Sequence, residues 1–395
     1  MKGFRSGFLK GLLGCLIVAA LGLGAYAVCG LVGLTRDKGP SETVSAEADG
    51  TGQDSQMEET HMSAETESEG DSEEGQTNEN AGQQEEEEPQ SIRMLFAGDL
   101  LITEYFQNSY DKTGVTAVVT EELRQQLCSA DLFILNQEFP FGTTGEQAPD
   151  KQYTFRVPPQ YVSMEKELGV DLVTLANNHI LDFGREPLPE TFGALSEAGI
   201  AYMGAGMNLA EASACRTFTI QDQTIGFLAA SRVIPVASWN AGSKTSGVFT
   251  TYDPTRLVEE IAKAKEICDF VVVYVHWGIE RNTTPEEYQR NLAYAYIDAG
   301  ADAVIGSHPH VLQGVEYYQG KPIFYSLGNF IFNSRTYDTM VVELTLEAGE
   351  CRVRILPCIS SGGQVRLLED ASAFYENMRA LSFEVEITED GIVKN

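Results

Sequence analysis

The chain has 395 residues, 43 % of them apolar, with 58 acidic against 27 basic side chains, 7 cysteines and a formal net charge of −31. That length buries a sizeable core without a disulfide or metal staple. So acidic a chain is no partner for nucleic acid, whose phosphates are held mainly by Lys and Arg.

Charge divides the chain into three parts. Residues 1–35 carry no acid, residues 36–90 carry 18 acids against 2 bases, and residues 91–395 carry 40 acids against 22 bases. Within the first part, residues 11–34 form an uncharged run of 24, which as a helix reaches about 36 Å and spans a bilayer core. Lys2, Arg5 and Lys10 precede it and the acidic stretch follows, so the positive-inside rule puts the tail 1–10 in the cytoplasm and everything after residue 35 outside. A cleaved signal peptide is the alternative, since Ala25-Tyr26-Ala27 imitates a cleavage site, and Leu12-Leu13-Gly14-Cys15 has the look of a lipidation box with its apolar stretch on the wrong side. Residues 35–90 hold almost no large apolar side chain and end in four consecutive Glu, which predicts a disordered acidic linker. Five cysteines remain beyond the membrane run, with no CxxC, and buried free thiols are expected; if any pair bridges, Cys351 and Cys358 are the candidates by proximity.

From residue 92 onward short apolar runs alternate with helical patterns, the signature of an α/β domain. Strands are predicted at 92–98, 131–136, 171–177, 224–231, 269–277 and 302–307, and helices at about 115–129, 159–168, 187–198, 254–267 and 285–299. After residue 311 the pattern turns to β, with strands at 311–318, 321–327, 339–347 and 351–360, and residues 362–395 read as a C-terminal extension.

Most of these strands run into a residue able to bind metal: Asp99, the Asn136-Gln137-Glu138 segment, Asn178 with His179, His276, and His308-Pro309-His310. Ligands of open α/β sheets sit beyond the carboxyl ends of the strands, so these residues are expected to converge. Of five histidines only His61 lies outside this set. In an extended segment alternate residues face one side, so His308 and His310 are expected to present both rings together, with Pro309 biasing His308 toward β geometry. Carboxylate, amide and imidazole donors together suit Mn, Fe or Zn and are too rich in nitrogen for Ca or Mg. Six candidate ligands exceed the four usual for one zinc, which predicts two divalent transition-metal ions with Glu138 between them. Such a pair serves phosphoester hydrolysis, with His179 as proton donor to the leaving group and Asp182 orienting its ring, unless Asp182 is a turn or cap residue. Arg156 and Arg281 are the basic residues nearest this region in sequence and are candidates for an anionic substrate.

LFAGDLL (95–101), NQEFPF (136–141), LANNHILDFG (175–184), GAGMNLAEA (204–212), HWGIE (276–280), GADAVIGSHPHVLQGVE (300–316) and KPIFYSLGNFIF (321–332) resemble, in order and spacing, the CapA capsule-synthesis family, which includes poly-γ-glutamate biosynthesis proteins. The resemblance implies a calcineurin-like metallophosphatase domain over 91–361: a four-layer α-β-β-α sandwich. By analogy with that superfamily, Asp99 and His310 would serve one ion and Asn178, His276 and His308 the other, bridged by Glu138. The broader superfamily opens with Asp-x-His and bridges with Asp, whereas here Leu100-Leu101 follows Asp99, which leaves the first ion either more weakly held or with Asn136 as an added ligand. The family name implies a role in capsule or polyglutamate-type polymer synthesis at the cell membrane. An anionic capsular or envelope polymer and membrane-bound capsule synthase subunits are then the expected partners. Two readings follow: a hydrolase acting on a phosphoester or on the polymer, and a metal-dependent subunit that binds and exports polymer without cleaving it.

Overall fold

A computed structural model describes residues 91–395. The tail, anchor and acidic linker expected at 1–90 lie outside the described residues. Among the described residues no helix is long and apolar enough to cross a membrane.

The chain runs β1 (Ser91–Leu100), α1 (Glu104–Thr113), α2 (Glu121–Cys128), β2 (Leu132–Gln137), α3 (Val162–Glu167), β3 (Leu172–Thr174), α4 (Pro187–Ala198), β4 (Ala201–Met203), β5 (Ala205–Gly206), α5 (Leu209–Ala212), β6 (Arg216–Ile220), β7 (Gln223–Ser231) and β8 (Gly247–Val248). It continues through α6 (Thr255–Lys265), β9 (Phe270–His276), α7 (Glu287–Asp298), β10 (Ala303–Ser307), β11 (Val315–Tyr318), β12 (Lys321–Phe324), β13 (Asn329–Ile331), β14 (Tyr337–Glu347), β15 (Glu350–Ser361), β16 (Gln364–Leu367), α8 (Ser372–Leu381), β17 (Glu386–Ile387) and β18 (Ile392–Lys394). One sheet has the order β17-β18-β15-β14-β1-β2-β3-β4, with β13 beside β1 and β16 beside β15; the other has the order β11-β12-β10-β9-β7-β6. β1, β2, β3 and β4 are mutually parallel, as are β7, β9, β10 and β12, so the carboxyl ends within each set lie at one edge.

Side-chain alternation decides the packing. Along β9, Phe270, Val272 and Tyr274 join a core shared with Phe96 and Ile134 of the first sheet. Val271, Val273 and Val275 turn the other way, onto Leu257 and Ile261 of α6 and Ala293, Tyr296 and Ile297 of α7. Across the inner core the rings of Phe96 and Phe227 lie 6.4 Å apart, and the Tyr274 hydroxyl donates to the Ala97 carbonyl at 2.8 Å. β2 is buried at every position, as a strand covered on both faces must be, with Leu123 and Leu127 of α2 and Leu188 and Leu195 of α4 in the same apolar core.

Several local expectations are corrected. The helix expected at 115–129 is broken, because Val119 bridges Val365 and the Thr120 N–H donates to the Val365 carbonyl at 2.9 Å; only Glu121–Cys128 is α-helical. α1 was not anticipated, since it buries Phe106 alone and has no apolar stripe to read. The cysteines of the described residues are free, as expected: the candidate pair Cys351 and Cys358 stands opposite Leu346 and Thr339 in the β14–β15 ladder, seven positions apart on opposite faces, which is about 24 Å along the strand and far beyond a disulfide. Residues 362–395 continue the same body: β16 and β18 pair with β15, and Phe374, Met378, Ile387 and Val393 enter the core.

Glu165 of α3 is fully buried and neither carboxylate oxygen has a hydrogen-bond partner. Burial holds its carboxyl well above the ordinary 4.5, so the folded protein keeps it protonated after the unfolded chain has ionised. The wild type therefore loses stability as pH rises above about 4.5, by at most about 1.4 kcal/mol per pH unit. Glu165→Gln is expected to match the wild type near pH 4 in urea melts and to exceed it increasingly between pH 5 and 7; a pH-independent difference contradicts this.

Candidate metal centre

The carboxyl edges of both sheets supply the centre. Asp99 of β1 stands in register with Asn136 of β2 on one side and Asn329 of β13 on the other. That register needs Gly98: a Cβ there would sit 1.9 Å from the Gly328 carbonyl oxygen. Glu138 follows β2, with its N–H donating to the Leu100 carbonyl at 2.9 Å. His276 ends β9 in register with Ser307, after which come His308 and His310.

Six expected ligands are brought together in two groups. His310 Nδ1 lies 3.1 Å from Asp99 Oδ2. His276 Nε2 lies 2.8 Å from Asn178 Oδ1 and 3.0 Å from His308 Nδ1. Glu138 lies between the groups, with Oε1 3.6 Å from His276 Nδ1 and Oε2 4.0 Å from His310 Nε2. The 2.8 and 3.0 Å separations of Asn178 Oδ1 and His308 Nδ1 from His276 Nε2 are those that neighbouring ligands of one ion with bonds of about 2.1 Å would have. Asp99, Glu138 and His276 each offer a donor atom within 4.8 Å of the others, and all three are buried.

Two details differ from expectation. His308 and His310 are not extended: their φ angles are 98° and 59°, in the left-handed region that costs a non-glycine residue about 1–3 kcal/mol. The chain turns at Pro309, whose carbonyl accepts the Arg281 N–H at 2.8 Å, and the turn, not strand alternation, brings the two imidazole centroids to 5.9 Å. Nor is Asn136 placed as an added ligand. Its amide oxygen accepts from Asn177 Nδ2 at 3.1 Å, while its nitrogen donates to Asp99 Oδ1 at 2.8 Å and Glu138 Oε1 at 3.0 Å. Asn136 therefore orients both carboxylates.

The electrostatics fit a cation. Burial, then the neighbouring Asp99 charge, pushes the Glu138 carboxyl well above its ordinary value. His276 is held well below 6.5 by burial and by His308 and His310; His308 falls to about 3 through burial and the His310 charge. Both keep neutral rings with lone pairs to give. For His310 burial acts downward, but Glu138 and Asp99 overcome it and raise the ring to about 10. Its Nδ1 hydrogen is nearer Asn329 Oδ1, at 2.8 Å, so Asp99 Oδ2 is left without a hydrogen bond, as is Glu138 Oε2. Two buried carboxylate oxygens without donors, in one cluster with the neutral imidazoles of His276 and His308, are a donor set that a divalent metal would satisfy.

Beside this cluster His179 Nδ1 lies 2.8 Å from Asp182 Oδ2, and the backbone N–H groups of His179 and Ile180 are held by Asn177 Oδ1 at 3.0 and 3.1 Å. Asp182 lies in a turn, its N–H donating to the His179 carbonyl at 3.0 Å, yet it is fully buried and also accepts the Phe155 N–H at 2.7 Å. Burial pulls the His179 imidazole down, with Asp182 opposing. Lys151 completes the group, donating to Asp182 Oδ1 and to the Asn178 carbonyl. The sequence reading missed Lys151 and Asn177, although the latter stands in the Asn-Asn-His segment already singled out. Arg156, by contrast, is spent on structure, donating to the Thr144 carbonyl at 2.6 Å and stacking 4.1 Å from the Phe183 ring centroid. Arg281 is exposed, and its recorded link to the histidine turn is through its backbone.

A two-sheet α/β protein with buried carboxylate and imidazole donors at its sheet edges is the class these observations define. Residues 93–334 match the family described as bacterial capsule synthesis protein PGA_cap, and the chain belongs to it. Relatives include the PGA biosynthesis protein CapA of Bacillus subtilis, 32 % identical over 66 % of this chain and 70 % of that one, and the capsule biosynthesis protein CapA of Bacillus anthracis, 33 % identical over 66 % and 65 %. A probable polyglutamine synthesis accessory protein of Mycobacterium tuberculosis is 32 % identical, and the match spans 51 % of this chain and 56 % of that protein. Among solved structures, NAD nucleotidase of Haemophilus influenzae aligns at 12 % identity over 69 % of this chain and 57 % of that one, with a TM-score of 0.45. A phosphatase of Mycoplasma pneumoniae aligns at 13 % identity over 69 % and 95 %, with a TM-score of 0.41.

Proposed function

We propose that this is a membrane-anchored, extracytoplasmic hydrolase of capsule- or polyglutamate-type polymer synthesis, built as a four-layer metallophosphatase-like sandwich around two divalent transition ions, Mn, Fe or Zn. The observation that carries the reading is the split of the donors: Asp99 with His310, and Asn178 with His276 and His308, on either side of Glu138. When bound, the ions would activate water and hold an anionic oxygen of the substrate. The chain's own contribution is orientation and protons. Asn136 and Asn329 fix the carboxylate and imidazole rotamers, and the His179–Asp182 pair stands beside the donors to protonate a leaving oxygen from Nε2. The polymer role rests on the relatives' names, and the membrane placement on the apolar run at 11–34.

The test is elemental analysis and turnover of aryl phosphate esters by the full chain extracted from membranes. The expected result is two transition-metal equivalents per chain, with hydrolysis abolished by chelation and restored by Mn, Fe or Zn. A metal-loaded protein inert toward phosphoesters, amides and polymer would instead be a polymer-binding or export subunit.

A further inference from the structure

Lys151 follows Pro149 and Asp150 in the loop between β2 and α3, where Asp150 takes a left-handed turn at φ 58°. Its side chain is 14 % exposed and its ammonium meets three groups. It donates to Asp182 Oδ1 and to the Asn178 carbonyl, and lies 3.0 Å from His179 Nδ1. The Trp239 ring centroid is 5.3 Å away. Two closely converging oxygen acceptors, Asp182 Oδ1 and the Asn178 carbonyl, suit a compact ammonium and not a planar guanidinium fork, while the His179 contact is one of proximity.

The arrangement decides which way His179 works. A carboxylate only accepts, so the hydrogen of the 2.8 Å contact between His179 and Asp182 sits on Nδ1, and Nε2 is left for other chemistry. Asp182 is fully buried, and a buried carboxylate stripped of its counter-charge is costly. Lys151 supplies that charge at Oδ1, leaving Oδ2 to Phe155 and His179. Through the Asn178 carbonyl it also ties down the peptide that joins a metal-ligand candidate to His179. Among the described residues it is the one Lys or Arg recorded in contact with Asp182.

We infer that Lys151 is a positioning residue: by holding Asp182 and the Asn178 carbonyl it fixes the His179 imidazole in one tautomer and one place. The inference rests on the reading of His179 as proton donor, so the experiment carries one readout that needs turnover and one that does not. In the full chain, Lys151→Met should keep its metal and its KM within about twofold. Its kcat on aryl phosphates with poor leaving groups should fall by at least about tenfold, within the loss caused by His179→Ala, and Lys151→Arg should recover part of it. The double variant Lys151→Met/His179→Ala should be no slower than His179→Ala alone, because one residue acts through the other. Losses that multiply, or a Lys151→Met protein with undiminished kcat, overturn the inference. If Lys151→Met fails to fold, Lys151→Met/Asp182→Asn removes the stranded charge and is compared with Asp182→Asn in the same way. If the wild type turns over no phosphoester, the hydrolase reading fails by itself. The inference is then judged by the ¹⁵N spectrum of His179: a single Nδ1–H tautomer in the wild type that becomes mixed in Lys151→Met supports it, and an unchanged spectrum refutes it.

Discussion

Glu138→Gln is expected to lose most bound divalent metal, with affinity reduced by more than about 100-fold, since even outer hydrogen-bond partners of metal ligands cost about 10–100-fold. On the proposed reading, phosphoester turnover should disappear with the metal. The stability effect has opposite signs with and without the ion. In chelator the wild type buries the Asp99 and Glu138 carboxyls side by side, each with an oxygen lacking a hydrogen bond; burial and the Asp99 charge oppose ionisation of Glu138, a cost that the neutral amide does not carry. The chelated variant should therefore melt higher than the chelated wild type, by about 1–3 kcal/mol. In saturating metal the order reverses, because the wild type gains stability from binding that the variant has lost. Calorimetry of both proteins with and without chelator reads both signs. A variant less stable than the wild type in chelator would show that Glu138 is held by protein donors and not by a cation.

His179→Ala separates binding from chemistry. Its imidazole reaches Asp182 and lies tilted against the Phe155 ring with centroids 4.6 Å apart, and it makes no contact with the carboxylates of Asp99 or Glu138. The variant should retain wild-type metal content while losing about 100-fold or more in turnover of esters with poor leaving groups. The loss should shrink as the leaving group becomes more acidic and needs no proton. Steady-state rates across a series of aryl phosphates, beside elemental analysis, check both halves. A metal-depleted His179→Ala protein makes this residue a ligand and withdraws it from proton transfer.

The strands and their ends were legible because burial on both faces of β2, β9 and β10 writes unbroken apolar runs into the sequence, and each run stops at Asn136, His276 or Ser307, where the chain meets the crevice. Convergence of Asp99, Glu138, Asn178 and three histidines followed from that rule of sheet edges. What could not be read was set by contacts distant in sequence. Val119 leaves its helix for Val365, and His308 and His310 adopt left-handed backbone because Pro309 is held by Arg281. Lys151 was passed over for Arg156 because spacing places both near the site, and only side-chain contacts show that one reaches Asp182 and the other the Thr144 carbonyl.

The donors are divided evenly between the sheets: Asp99, Glu138 and Asn178 follow strands of the first, and His276, His308 and His310 follow strands of the second. Neither half can coordinate an ion alone, and the donors span more than two hundred positions of chain. Closing so wide a loop comes late in folding, after the local βα units have formed. A cation seated there would be a fastener across a seam and not a seed for folding. It would be drawn from whichever compartment the chain finishes folding in, and would slow the parting of the two sheets. Which ion is seated would then depend on the ion supply of that compartment as much as on the ligands.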